Sequence, residues 1–330
     1  MSAHPQNAPI ALVGSGLMAQ AYAKVLTAQG REFCVIGRGA ESAVRFRDAT
    51  GIAVSTGGLD RWLDDHGAAP HTAIVAVNLS MLADVSAQLL RAGTQRLLIE
   101  KPGAIDRSGL TLIQQAAAAS CADVFIAYNR RFYASTLAAE ELAQADGGIT
   151  SFQFEFTEWT HRIGVGSRPA DELAAWFFAN SSHVVDLAFH LGGQPVQWQA
   201  WAGGKLDWHP HGSIFCGAGA TDRGALFSYQ ANWQALGRWS VELLTRKHRL
   251  HLRPMESLGV QDAGSLEIKP FALDDQLDRD YKPGLYRQTQ AFLDGADAHR
   301  LPTLAEHVHF WDTVLEVIAG GSQTVMHRAA

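Results

Sequence analysis

The chain opens with short apolar runs separated by stretches of helical period. "IALVG" (10–14), "EFCVIG" (32–37), "TAIVAVN" (72–78), "RLLIE" (96–100) and "VFIAYN" (124–129) have strand length and almost no polar interruption. Such runs mark strands buried on both faces. Between them, residues 19–30, 40–50, 59–67, 81–93 and 110–121 read as helices, several closed by a glycine such as Gly30, Gly51 or Gly93. Glycine suits the left-handed residue that ends a helix. Strands alternating with helices in this way predict a parallel, doubly wound sheet.

From about residue 149 the pattern changes. "SFQFEFTEW" (151–159) alternates with period two and sets Phe152, Phe154 and Phe156 on one face. Residues 224–233 and 239–252 are also strand-like, whereas 286–298 and 304–321 read as helices. Long alternating strands without crossover helices predict an antiparallel sheet with one solvated face. The expected architecture is α/β followed by α+β. A Rossmann-type domain spans 1–125, and a substrate and oligomerisation domain spans 126–330, with its C-terminal helices free to pack back on the first.

Composition narrows the functional classes. The 330 residues are 47% hydrophobic and 18% charged, with a net charge of −6, which fits a globular core and gives no reason to expect nucleic acid or an anionic membrane as partner. No run approaches the length of a membrane span, and "MSAHPQNAPIALVG" lacks the charged region of a signal peptide. Three distant cysteines, Cys34, Cys121 and Cys216, fit a reducing compartment and a cytoplasmic location.

The first chemical signal lies between the first strand and helix. "VGSGLMAQA" places Gly14, Gly16 and Ala19 as G-x-G-x-x-A, followed by Leu17 and Met18 at the helix start. In this context the pattern is a dinucleotide fingerprint, with the helix N-terminus facing a pyrophosphate. An NAD site expects an acid at the end of the second strand. Here "VIGRGAES" supplies Gly37, Arg38 and Ser42. Without an acid to repel a 2′-phosphate, and with Arg38 to pair with it, NADP is favoured over NAD. The alternative for Arg38 is a solvated surface side chain.

The second signal is "EKP". Lys101 follows Glu100 at the carboxyl end of the fourth strand, where open α/β sheets bind ligands. Taken alone, Lys101 would read as a surface lysine. Its company is different: G-x-G-x-x-A, then E-K-P, then "YNRRF" (128–132), then a helix with H-x-x-D at His183 and Asp186. This order resembles the glucose–fructose oxidoreductase/inositol dehydrogenase/MocA family, and the resemblance spans essentially the whole chain.

The resemblance implies nicotinamide-dependent chemistry on sugars or polyols, and an open sheet that often forms the oligomer interface, as a dimer or tetramer. It assigns Lys101 and His183 to catalysis. Asn78, Glu100, Lys101 and Asn129 fall on the cofactor side. Tyr128, Arg130, His161, Trp176, Asn180 and Asp186 fall on the substrate side. Arg162, next to His161, would suit an acidic or nucleotide-linked sugar. The chain departs from the family in three places. Ala179 stands four residues before the histidine, where many members carry an aspartate. Asn78 stands in a loop that usually holds Pro and His, and Gly103 follows E-K-P.

In "ANSSHVVDLAFHLGG" (179–193), His183, Asp186 and His190 share one helical face. Three readings compete. As a metal site, His183 and His190 would lie roughly 10 Å apart along the axis, too far for one ion without outside ligands. As solvated polarity, they would line the exposed side of an amphipathic helix. As acid/base equipment, His183 moves the proton, Asp186 orients it or binds substrate, and His190 is structural. The last is favoured, with Asn180, Ser181 or Ser182 as helix cap and no metal. The expected protein is an NADP-preferring oxidoreductase acting on a hydroxyl or carbonyl carbon of a sugar, polyol or nucleotide-sugar-like substrate. The alternatives are a cofactor-binding regulator without turnover, and a lyase or epimerase that uses the cofactor transiently.

Overall fold

A computed structural model describes residues 9–321 and 323–326; residues 1–8, most of the stretch read for a signal peptide, lie outside it. The chain divides into two compact units. The first runs to Asn129 and takes back Asp280–Val308; the second holds Arg130–Arg279 and the residues from His309 on.

The first unit is built on five strands, β1 (Ile10–Val13), β2 (Phe33–Ile36), β3 (Thr72–Val75), β4 (Arg96–Glu100) and β5 (Asp123–Ala127). Their order is β2-β1-β3-β4-β5 and every pairing is parallel. The apolar runs thus form the doubly wound sheet their pattern predicts. Helices Leu17–Ala28, Ala40–Thr50, Gly58–His66, Leu82–Arg91 and Arg107–Ser120 make the crossovers. The strand order reverses at β1, which lies between β2 and β3, so the loop after β1 sits at a topological switch point. The returning segment closes the far edge: Ile126 N–H donates to Pro302 O at 3.0 Å, and helix Leu285–Asp294 packs on helix Leu17–Ala28.

The second unit carries a nine-stranded sheet: β6 (Ser151–Glu155), β7 (Pro195–Gly203), β8 (Ile214–Thr221), β9 (Leu226–Asn232), β10 (Ser240–Leu244), β11 (His248–Leu252), β12 (Gly259–Asp262), β13 (Lys269–Pro270) and β14 (Gln323–Met326). The order is β13-β12-β11-β10-β6-β9-β8-β7-β14, antiparallel except for the parallel pair β6–β9. Phe152, Phe154 and Phe156 face the core, and the register sets Phe152 beside Phe227 and Phe154 beside Tyr229. Helix Ser182–Gly192 covers this aromatic face. Phe189 meets Phe152, Phe154 and Phe227 edge-on, with ring centroids 5.0–5.9 Å apart, a geometry aromatic quadrupoles favour. Gly192 lets the helix end approach, since a Cβ there would lie 2.1 Å from the Phe152 ring.

That helix differs from its sequence reading in two ways. It is buried on nearly all sides, with His183 6% exposed and Asp186 2%, and His190 half-buried. It also does not start at a cap. A π turn, Phe177–Ser181, runs straight into Ser182, so no chain end is left for Asn180, Ser181 or Ser182 to cap. Ser182 Oγ instead donates back to Phe178 O at 2.6 Å. A π turn adds one residue to a helical turn and recurs near functional sites. Helix 304–321 is likewise interrupted, by the π turn Trp311–Leu315, and the two π turns meet through stacked Phe178 and Trp311, 4.3 Å apart.

Candidate active site

In the first unit, the loop after β1 is shaped for a close-fitting anion. Gly14 has φ +130°, and a Cβ there would fall 2.1 Å from Ala76 O at the end of β3. No L side chain fits this position. Gly16 precedes helix Leu17–Ala28 in extended conformation with no side-chain cap. The free N–H groups of the first turn are therefore left for a ligand. Leu17 is exposed and Met18 half-buried beside them.

The Ser42 side of this loop is polar. Ser15 Oγ donates to Ser42 Oγ at 2.9 Å, and Ser42 Oγ donates to Gly39 O at 2.9 Å. Gly37 has no room for a side chain: a Cβ would meet Val54 Cγ1 at 2.7 Å and Ser15 Oγ at 3.0 Å. Arg38 is exposed and flanks the turn Gly57–Gly58, on which Arg61 also lies. Ser15 and Arg61 carry no sequence signal, because Ser15 is a variable position of the glycine fingerprint and Arg61 lies outside it.

The E-K-P loop is clamped from below. Glu100, at the end of β4, accepts from Tyr22 Oη at 2.8 Å, and Gln288 Nε2 donates to the same hydroxyl at 3.0 Å. Burial raises the Glu100 carboxyl above its ordinary value, against the opposing hydrogen bond from Tyr22 and the charges of Lys101 and Lys282. Lys101 is half-buried, and its peptide bond to Pro102 is cis. His307 Nε2 lies 2.8 Å from Pro102 O. Tyr128 is fully buried against the His307 ring, which makes it packing beneath this loop instead of the substrate contact expected of it. Asn129 Nδ2 donates to Pro283 O at 2.9 Å. Asn78 is exposed after β3 and opens the short turn Leu79–Met81. Tyr22, Gln288 and His307 carried no sequence signal, because they come from distant parts of the chain.

In the second unit, His183 lies with its ring 6.5 Å from that of Trp239. Asp186 is gripped by Arg131 through both oxygens, at 2.9 Å to Nε and 2.6 Å to Nη2. Its carboxylate is thereby committed to an ion pair, which suits holding the helix in place better than binding a substrate. His190 Nε2 lies 3.0 Å from Glu140, and burial lowers its pKa. Asn180 Nδ2 donates to both oxygens of Glu158, at 2.9 and 3.0 Å, and Ser181 Oγ donates to one at 2.8 Å. Burial raises the Glu158 carboxyl above the usual range. Glu158 was missed from sequence because it lies 22 residues before Asn180, on the exit of a strand that reads simply as core. Trp176 is half-buried under Arg168, and His161 is exposed, stacked on Trp159. Among the described residues, no group of three or more His, Cys, Asp or Glu could hold a metal ion.

Residues 9–100 match the family described as NADP oxidoreductase, coenzyme F420-dependent. No curated protein matches the chain. Solved structures do so over nearly their full length. An oxidoreductase from Agrobacterium radiobacter, in complex with NAD+, L-tartaric acid and magnesium, is 14% identical, with a TM-score of 0.76 over 97% of this chain and 98% of that one. The chain has the fold of these oxidoreductases. Levoglucosan dehydrogenase in complex with NADH shares that fold at 17% identity and a TM-score of 0.74, covering 94% and 96% of the two chains. UDP-N-acetylglucosamine 3-dehydrogenase GnnA from Acidithiobacillus ferrooxidans does so at 14% and 0.70, covering 95% and 97%. The oxidoreductase fold is also the one implied by the resemblance to the glucose–fructose oxidoreductase/inositol dehydrogenase/MocA family. Among the described residues, no helix is long and apolar enough to cross a membrane.

Proposed function

We propose that the chain is a nicotinamide-dependent oxidoreductase, NADP-preferring, that acts on a hydroxyl or carbonyl carbon of a sugar, polyol or nucleotide-sugar-like substrate in the cytoplasm. The observation that carries this is the loop Gly14–Gly16, set at the switch point of the first sheet with an uncapped helix behind it. Its backbone would hold the pyrophosphate, while Arg38, Ser42 and Ser15 would hold the adenosine end. When bound, the cofactor supplies or accepts hydride. Lys101, fixed by the clamp on the E-K-P loop, polarises the substrate oxygen, and His183 exchanges the hydroxyl proton. Asp186 acts as a positioning residue, because it fixes through Arg131 the helix that carries His183. The reading is tested by incubating the protein with NADP or NAD and a panel of polyols, sugars, sugar acids and nucleotide sugars. Reduced cofactor must appear with at least one. Binding of cofactor with no turnover of any would point to a regulator, a role that Ala179 would suit.

The cofactor preference has its own test. NADP is expected to raise the melting temperature more than NAD at equal concentration, and Arg38→Asp to reverse the order. A tenfold preference corresponds to about 1.4 kcal/mol. Equal or greater stabilisation by NAD would remove the role given to Arg38.

The outer face of the second sheet supports a homo-oligomer. Trp201, Ile214 and Leu226 are exposed there, on the neighbouring strands β7, β8 and β9. Trp201 pairs with Cys216, two residues from Ile214, so these two are diagonal neighbours, whereas Leu226 pairs with Ala220 farther along the sheet; exposed large apolar side chains on one sheet face suit an interaction surface. Light scattering is expected to give a dimer or tetramer, and Trp201→Glu to shift it towards monomer. A monomeric wild type at assay concentration would remove this assignment.

A further inference from the structure

Three arginines of the second unit share the rings of Trp159 and Trp239. Arg162 lies over Trp159 at 4.8 Å, and Arg238 lies over Trp159 at 5.0 Å and over Trp239 at 4.8 Å. Arg130 lies over Trp239 at 4.9 Å and over Tyr133 at 5.8 Å. The result is an alternating ladder, Arg162–Trp159–Arg238–Trp239–Arg130. It passes close to His183, whose ring is 6.5 Å from that of Trp239.

Stacking fixes the plane of a guanidinium but leaves its N–H edge unused. Among the described residues, none of the three guanidiniums is in an ion pair, and the buried Nε of Arg130 has no hydrogen-bond partner. A charge out of water without a hydrogen-bonded counter-ion is costly to the fold. Burial accordingly lowers the Arg130 pKa, while Glu158 and Glu256 act on it only through space. Glu158 is occupied by Asn180 and Ser181. The next residue along the chain, Arg131, shows the contrast, with a bidentate carboxylate of its own.

We infer that the substrate carries an oxyanion, a carboxylate or a phosphate, received by Arg130 and Arg238 around the Trp239 ring beside His183. This rests on the oxidoreductase reading above. The guanidinium fork matches two oxygens of one oxyanion, and the indole face suits the C–H face of the attached carbon skeleton. A neutral polyol would leave the arginines unpaired and bind more weakly.

Binding is measured by calorimetry on the wild-type protein with four probes: D-glucuronate for a carboxylate, glucose 6-phosphate for a phosphate, UDP-glucose for a pyrophosphate, and D-glucitol as the neutral reference. At least one anion is expected to bind more tightly than D-glucitol, and the arm that binds identifies the source of the oxyanion. Arg238→Gln, at an exposed position where folding is not at stake, is expected to weaken that anion by roughly 10- to 100-fold and to leave D-glucitol unchanged. Arg130→Met should weaken the anion as well. Binding of D-glucitol as tight as the anions, no binding of any anion, or indifference of the anion to Arg238→Gln would each overturn the inference. Because this readout needs no turnover, its failure leaves the oxidoreductase reading standing. That reading fails separately, if no substrate reduces the cofactor.

Discussion

His183→Ala is expected to lower kcat by about 10²–10⁴, equal to roughly 3–5 kcal/mol of transition-state stabilisation. The melting temperature and the stabilisation by NADP should change little. The ring is buried on a helix that packs through other residues, chiefly Phe189 on the aromatic face. Removing the imidazole therefore takes away proton exchange without opening the sheet contact. Lys101→Ala should cost a similar factor in kcat, because the lysine polarises the reacting oxygen in the transition state. The loop around it keeps its other anchors, Glu100 through Tyr22 and Pro102 through His307. Steady-state kinetics on the best substrate, with thermal unfolding of each variant beside it, separates chemistry from folding. Turnover of both variants at the wild-type rate would refute the roles given to the two residues.

Asp186→Ala is expected to have the largest effect on stability, about 3–5 kcal/mol. The carboxylate is almost fully buried, and the Arg131 side chain is only 13% exposed. Deleting the acid takes the bidentate carboxylate away from a guanidinium that is largely out of water. For a protein whose whole stability is of order 5–15 kcal/mol, this is a large share. It corresponds to a fall in melting temperature of roughly 6–20 °C for a unit of this size. The double variant Asp186→Ala/Arg131→Met should recover part of the loss, since an apolar side chain carries no desolvation penalty. Thermal unfolding of the three variants checks this. A loss below about 1 kcal/mol would mean that the pair behaves as a solvent-screened surface contact.

Much of the fold is legible in the sequence because parallel strands must be apolar on both faces. The runs at β1, β3, β4 and β5 stand out for that reason. The limits of elements are less visible. Residues 239–252 read as one strand-like stretch, yet they form the hairpin β10–β11. The turn between the strands is set by Thr245 Oγ1, which accepts from the backbone N–H groups of Lys247 and His248. Strand β8, "IFCGAGAT", shows no apolar alternation at all. Two of its inward positions, Gly217 and Gly219, are glycines because the partners across the sheet fill the space. A Cβ on Gly217 would lie 2.4 Å from the Tyr229 ring, and one on Gly219 would lie 2.2 Å from Trp198 Cβ. The volume belongs to the neighbours, so the strand itself looks like a loop.

The same holds for the site. Gly14 belongs to a local fingerprint, and Lys101 and His183 are picked out by the resemblance to a known family. The groups that hold them are not. Arg131 finds Asp186 across 55 residues, and Gln288 finds Tyr22 across 266. Such partners are chosen by the tertiary fold, and no window along the chain contains both.

The returning segment Asp280–Val308 has a consequence for how the protein is made. Gln288, His307 and Pro283 secure Tyr22, Pro102 and Asn129, so the first unit is complete only when residues near the end of the chain have left the ribosome. All of Arg130–Arg279 is synthesised in the interval. The nucleotide-type sheet, although first in sequence, is thus expected to finish folding late. Until then the buried Tyr22–Glu100 pair and the edge of β5 remain open, which makes this the stage at which a nascent chain is most exposed to aggregation and proteolysis.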